Sequence, residues 1–280
     1  MSARPIDGKE LSARVKADLR DRIMRAGRPV RLDALLASPD KGAALYAHNQ
    51  AKTCAEVGIE YHLHELAADA GYEDVAGRVL LMNTDDSVRA IMVHMPLPPA
   101  LDAERVQSLI APEKDVEGVN PANIGNVVYG RRSLVPCTAL ATLEMIEHTG
   151  IELRGARAVV VGASNIVGKP IAVLLMRAEA TVVSANKFTQ GLASICRDAD
   201  IVVAAAGVPG LVRPDWVKPG AVVVDVGINR IRTDDGRTMT VGDVDPAVAG
   251  VAGWLSPVPG GVGPMTVAML LRNVVDAALR

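Results

Sequence analysis

The sequence predicts an α/β protein of two domains, the second a Rossmann-like, doubly wound parallel sheet. Three observations carry this. From residue 156 onward, apolar strand patterns alternate with helical ones at the spacing of strand–helix–strand units. The strands are Val-rich runs such as AVVV and IVVAAA, as suits strands covered on both faces. A glycine-bounded turn, GASNIVG, joins the first of them to a helix.

The elements follow in order. Residues 8–28 read as a helix, with Leu11, Val15, Leu19 and Ile23 at four-residue spacing and charges between. A second helix is expected over 42–57. Ala90–Met95 is a short apolar run stopped by Pro96, Pro98 and Pro99, the pattern of a buried strand ending in a loop. Residues 139–149 are again helical. Then the character changes: strand 156–164, helix 170–177, strand 180–186, short helix 191–197, strands 198–207 and 221–228, and a last helix from Thr266 to Leu279. The change places a boundary near residue 140. Residues 1–140 form one expected domain and 141–265 the other, with helix 266–280 packing back on the first. No internal repeat or low-complexity segment is present.

Composition narrows the function. The 280 residues are 49% hydrophobic and 22% charged, enough for one large or two modest domains. A net charge of -2 argues against nucleic-acid binding by counterion release. Four Tyr, two Trp and one Phe leave little for base stacking. Cys54, Cys137 and Cys196 lie far apart without a C-x-x-C, which fits neither zinc nor a disulfide framework. The start has no apolar core for a signal peptide, and no run reaches the ~18–20 apolar residues of a membrane span. The expectation is a cytoplasmic protein with no metal, no membrane and no nucleic-acid partner.

At the first glycine turn, Gly162 permits a tight bend and Gly168 lets the helix approach the strand. Backbone N–H groups and the helix dipole between them suit a pyrophosphate. The string departs from the usual three-glycine fingerprint, so alone it reads equally as a plain turn. The next strand ends in Asn186-Lys187, with no acid for a ribose 2′-hydroxyl and a cation for a 2′-phosphate. That favours NADP over NAD. Ala206–Gly210 and Val226–Asn229 end the next two strands at the carboxyl edge, where open sheets bind ligands.

Six segments occur in order: Pro96-Leu97-Pro98, Pro112–Gly118 (PEKDVEG), Pro136-Cys137-Thr138, GASNIVGKP, Asp225–Asn229 (DVGIN) and Pro257–Thr266 (PVPGGVGPMT). Over nearly the whole chain this resembles the bifunctional methylenetetrahydrofolate dehydrogenase/cyclohydrolase family. The resemblance implies two domains about a cleft, a homodimer, NADP (with NAD possible) on the Rossmann half and a tetrahydrofolate derivative as substrate. In that family hydride leaves a methylene carbon to give a methenyl cation, which water converts to the formyl compound. Carried over by position, the cofactor contacts are Thr138, Ser164, Ile166, Lys187, Val226, Ile228, Gly263 and Thr266, joined by Gly162, Asn165 and Gly168 of the glycine turn. Pro259, Gly260 and Gly261 are implied on the folate side.

Four places depart from the family pattern. Its helical Tyr-x-x-x-Lys is here Tyr46-Ala47-His48-Asn49-Gln50. Lys52 is no substitute, because two residues along a helix turn it about 200° away. His94 stands where the family has Gln, and Glu117 where it has Asp. The loop 36–42 lacks the usual Val-Gly start. Hydride loss needs orientation more than a protein base. Hydration needs proton exchange, typically worth ~10²–10⁴-fold, and a glutamine amide supplies none. The expectation is a dehydrogenase whose cyclohydrolase step is lost or weak.

His94 reads two ways. It is a strand-end histidine bonding nearby backbone, or half of a rebuilt acid–base pair with Glu117. Such a pair would restore hydration or serve a specialised transfer of the methylene carbon. Tyr46 is expected to stack on or bond the pterin, and Lys114 and Asp115 to order their loop. Met92, Met95 and Met145 read as core filling. Trp216 and Trp254 read as packing beside strand-end loops, and His48, His62, His64 and His148 as surface or helix residues.

Overall fold

The computed structural model describes residues 2–38, 40–131, 133–233 and 236–280. In chain order the elements begin with β1 (Arg4–Pro5), α1 (Gly8–Ala26), β2 (Val30–Leu36), α2 (Lys41–Val57) and β3 (Ile59–Glu65). Then come α3 (Tyr72–Thr84), β4 (Ile91–Val93), α4 (Ala103–Gln107), α5 (Pro121–Tyr129) and α6 (Cys137–His148). The rest is β5 (Arg157–Val161), α7 (Gly168–Arg177), β6 (Thr181–Ala185), α8 (Leu192–Arg197), β7 (Ile201–Ala204), β8 (Val222–Asp225), β9 (Asn229–Arg232), β10 (Thr238–Val241), β11 (Trp254–Leu255) and α9 (Val262–Ala278).

Two compact units result, 14–135 with 270–280, and 1–13 with 136–269. The first thirteen residues thus group with the second half of the chain, unlike the expected division. The cause is β1, which joins the larger sheet in parallel register, Arg4 opposite Trp254 and Pro5 opposite Leu255. The last helix is likewise shared, dividing at Met269 rather than returning whole.

The larger sheet has six strands in the order β1-β11-β8-β7-β5-β6, every pairing parallel. Its middle strands are buried along their length: Ala158–Val161, Ile201–Ala204 and Val222–Val224. Each fully buried Val or Ile contributes roughly 1.5–3 kcal/mol. The chain leaves β5 to one side for β6 and to the other for β7. That reversal puts a ligand-binding crevice at the carboxyl ends of β5 and β7. The antiparallel β9–β10 hairpin was not expected.

The smaller unit holds a three-stranded parallel sheet, β3-β2-β4. Sequence patterning missed β2 (VRLDALL) because Arg31 and Asp33 interrupt its apolar run. The pair is neutralised inside the fold: Arg31 donates to Asp33 at 2.6 Å, and His64 on β3 lies 2.7 Å from the same oxygen. His64 is therefore a strand residue with a buried partner. β4 is shorter than the expected run, and Met95 beyond it is 37% exposed rather than core. Trp254 lies within β11 itself. Met92 and Met145 are buried.

The end of α9 is tied into the smaller unit by Asn273, as well as by the Arg22–Asp276 ion pair. Asn273 is buried, and its amide donates to Val116 O at 2.8 Å and Val135 O at 2.9 Å. An unmet buried carbonyl costs about 1–3 kcal/mol. Asn273→Ala is therefore expected to lower stability by about 2–4 kcal/mol in urea unfolding, and a loss below about 0.5 kcal/mol would contradict this.

Candidate active site

The smaller unit builds its part of the site on α2. Asp40 caps the helix by accepting the Gly42 N–H at 2.8 Å, and Gly58 ends it with a left-handed φ of 87°. Tyr46, Gln50 and Cys54 recur every four residues and so share one face. Burial deepens along it, from Tyr46 (49% exposed) to Gln50 (3%) and Cys54 (0%). Lys52 points elsewhere and is exposed. The Gln50 amide donates to Cys54 Sγ at 3.7 Å.

His94, at the end of β4, is buried and sits between two tyrosines. Its ring lies edge-on to Tyr46, centroids 5.8 Å apart, and its Nε2 is 2.7 Å from Tyr61 Oη. Its backbone N–H donates to Leu35 O at 2.8 Å. The ring therefore bonds a tyrosine hydroxyl at Nε2, rather than nearby backbone or Glu117. Burial pulls the His94 pKa down to about 4, leaving a neutral imidazole at pH 7. Burial likewise pushes the Cys54 thiol up to about 11 and raises the Tyr61 phenol. The face presents uncharged groups.

Glu117 arrives on a loop locked from both sides. Lys114 donates to the carbonyls of Asn83 at 2.7 Å and Asp85 at 2.9 Å. Buried Asp115 accepts the N–H groups of Asn120 at 2.7 Å and Gly118 at 3.1 Å, with the Asn123 amide at 2.9 Å. Glu117 reaches the Val93 N–H at 3.5 Å, one residue before His94. Burial, with the Asp115 charge adding to it, pushes the Glu117 carboxyl up to about 7. Of the shifted groups in this unit, it is the one brought nearest neutrality.

The larger unit carries a dinucleotide cradle. A Cβ on Gly162 would lie 2.0 Å from Ala205 O, and one on Gly168 would lie 1.8 Å from Gly162 O. Strand, turn and helix start thus touch backbone to backbone, the close approach that a pyrophosphate on a helix N-terminus needs. Gly168 N–H donates to Ser164 Oγ at 3.3 Å, and Lys169 Nζ to Asn165 Oδ1 at 2.7 Å, fixing the turn. Ile166 is 45% exposed at its tip. After β6, Asn186 accepts the Phe188 N–H at 2.9 Å, and the exposed Lys187 lies 5.0 Å from the Phe188 ring. These residues fit a nicotinamide dinucleotide.

Beside the cradle, a pocket of about 280 Å³ brings together Val226, Ile228, Pro259, Gly260, Gly261 and Gly263, expected separately for cofactor and folate. Lys9 also lines it, a cation that no motif pointed to. Thr138 and Thr266 lie near the starts of α6 and α9, outside that lining. Sequence reading also missed Tyr61, whose partner is 33 residues away. Among the described residues no group of three or more His, Cys, Asp or Glu is placed to hold a metal, and no helix is long and apolar enough to cross a membrane.

Comparisons with known proteins agree across the chain. Residues 6–117 match the tetrahydrofolate dehydrogenase/cyclohydrolase catalytic domain, and 136–280 match that family's NAD(P)-binding domain. The bifunctional protein FolD of Moorella thermoacetica is 43% identical, with 100% of both chains covered. The crystal structure of the FolD dehydrogenase/cyclohydrolase from Campylobacter jejuni superposes with a TM-score of 0.93 at 38% identity, covering 99% of each chain. A Trypanosoma brucei FolD, solved with NADP and an inhibitor, gives 0.90 at 36%, covering 98% of this chain and 96% of that one. On these matches, spanning both of its units, the chain belongs to the tetrahydrofolate dehydrogenase/cyclohydrolase family.

Proposed function

We propose that the protein oxidises 5,10-methylenetetrahydrofolate to 5,10-methenyltetrahydrofolate with NADP, and that it hydrates the product slowly or not at all. The observation that carries the second half is Gln50, a buried amide one turn from Tyr46. A bound nicotinamide would accept the hydride. The chain's own task in that step is orientation. The ring of half-exposed Tyr46, braced edge-on by His94, offers a flat apolar face to a pterin. Lys187 offers a cation to a 2′-phosphate. Around Tyr46 the groups are ill suited to exchanging protons with water, since Gln50 does not titrate and burial keeps His94, Cys54 and Tyr61 neutral.

NADP reduction is expected when the purified protein meets methylenetetrahydrofolate, with methenyl absorbance rising in step. Absence of reduction with either nicotinamide would end this reading.

A fully bifunctional enzyme is the second reading, and Glu117 favours it. Its pKa near 7 suits a general base. The base is the carboxylate, so decay of supplied methenyltetrahydrofolate would then accelerate as pH rises through about 7. Glu117→Gln would flatten that profile and lower the rate by about 10²-fold. An unchanged profile in the variant would remove Glu117 from the chemistry.

The edge strand β3, seven residues long with Leu63 36% exposed, suits a homodimer. Three buried, unbridged cysteines suit a cytoplasmic setting.

A further inference from the structure

We propose that Asp243 is a positioning residue for the dinucleotide, a clasp through which one carboxylate fixes the two strand-end loops beside the cofactor crevice. The inference rests on the NAD(P)-binding reading of this unit. Asp243 follows β10, is 0% exposed and does not line the pocket. Its Oδ2 accepts the N–H groups of Ala206 at 2.6 Å and Gly207 at 2.8 Å, at the end of β7. Its Oδ1 accepts the Asn229 amide at 2.8 Å, at the start of β9, where the loop after β8 ends. Both loops therefore hang from one side chain. The second of them supplies Val226 and Ile228 to the pocket.

The clasp is itself held. Asp225, 4% exposed at the end of β8, accepts the N–H groups of Asp243, Val244 and Gly227, each at 2.9 Å. The two glycines beside the carboxylates leave no room for a side chain. A Cβ on Gly227 would fall 2.2 Å from Asp243 Oδ1, and one on Gly242 would fall 1.8 Å from Asp225 Oδ2. The hydrogen-bond partners of the Asp243 carboxylate are all donors, a demand an acid meets and an amide does not, because its NH₂ would oppose another N–H. A strand-end loop tied this way cannot shift without its neighbour, so loss of the clasp loosens both walls at once.

The test measures NADPH binding by fluorescence on cofactor-free protein, together with its thermal unfolding, for the parent, Asp243→Asn, Asn229→Ala and the double variant. NADPH affinity is expected to fall about tenfold in Asp243→Asn and about threefold in Asn229→Ala. The double variant should lose little beyond Asp243→Asn, since both remove one link. In turnover assays KM for NADP should rise while KM for the folate stays within about twofold. Affinity unchanged while the unfolding temperature falls would reduce Asp243 to a structural brace and overturn the proposal. Should Asp243→Asn not fold, Asn229→Ala decides, and unchanged affinity there overturns it too. Parent protein that binds NADPH without turnover would sink the proposed reaction while leaving the clasp standing.

Discussion

At the carboxyl edge of the six-stranded sheet, main chain rests directly on main chain, and the nucleotide half of the protein is organised by that contact. Gly162 and Gly168 are glycines because the carbonyls of Ala205 and Gly162 occupy the space a side chain would need. Such approach is possible only in a sheet whose strands end in register. The buried Val and Ala of β5, β7 and β8 supply that register. The crevice is then a by-product of strand order, opening where the chain reverses direction between β5 and β7. What the edge still lacks is stiffness in the loops, and buried carboxylates provide it by accepting several N–H groups at once.

The smaller unit solves a different problem. Around Gln50 and His94 it keeps polar side chains together while holding them neutral. Gln50 and Cys54 bond each other, and Tyr61 bonds His94. Burial suppresses ionisation of each titratable member. Such a surface accepts a flat heterocycle at low electrostatic cost, but moves protons poorly. Glu117 is the exception, and the same burial that silences His94 brings its pKa into the working range.

The parallel sheet was legible in the sequence because strands covered on both faces are written as unbroken aliphatic runs. The glycine turn was legible because its spacing is set by backbone contact. β2 was hidden, since the partners of its charged Arg31 and Asp33 are set only once β3 brings His64 alongside. β1 and β11 are two residues each, too short for any period. Within the site, the residue types at 46, 50, 94 and 117 could be read from motifs, but their partners could not. Tyr61 reaches His94 across 33 residues, and Asp225 reaches Asp243 across 18. Hydrogen-bond choice at such separations is settled by strand order, which no local pattern encodes.

In the proposed reaction, position 50 separates oxidation from hydration. Its most direct test follows the decay of supplied methenyltetrahydrofolate at pH 7 in the parent and in Gln50→Lys. The account predicts a parent rate near the uncatalysed one, and a gain of about 10²-fold in the variant, with methylenetetrahydrofolate oxidation by NADP within a few-fold in both. A parent that already hydrolyses the methenyl compound rapidly, with no gain from the lysine, would contradict it.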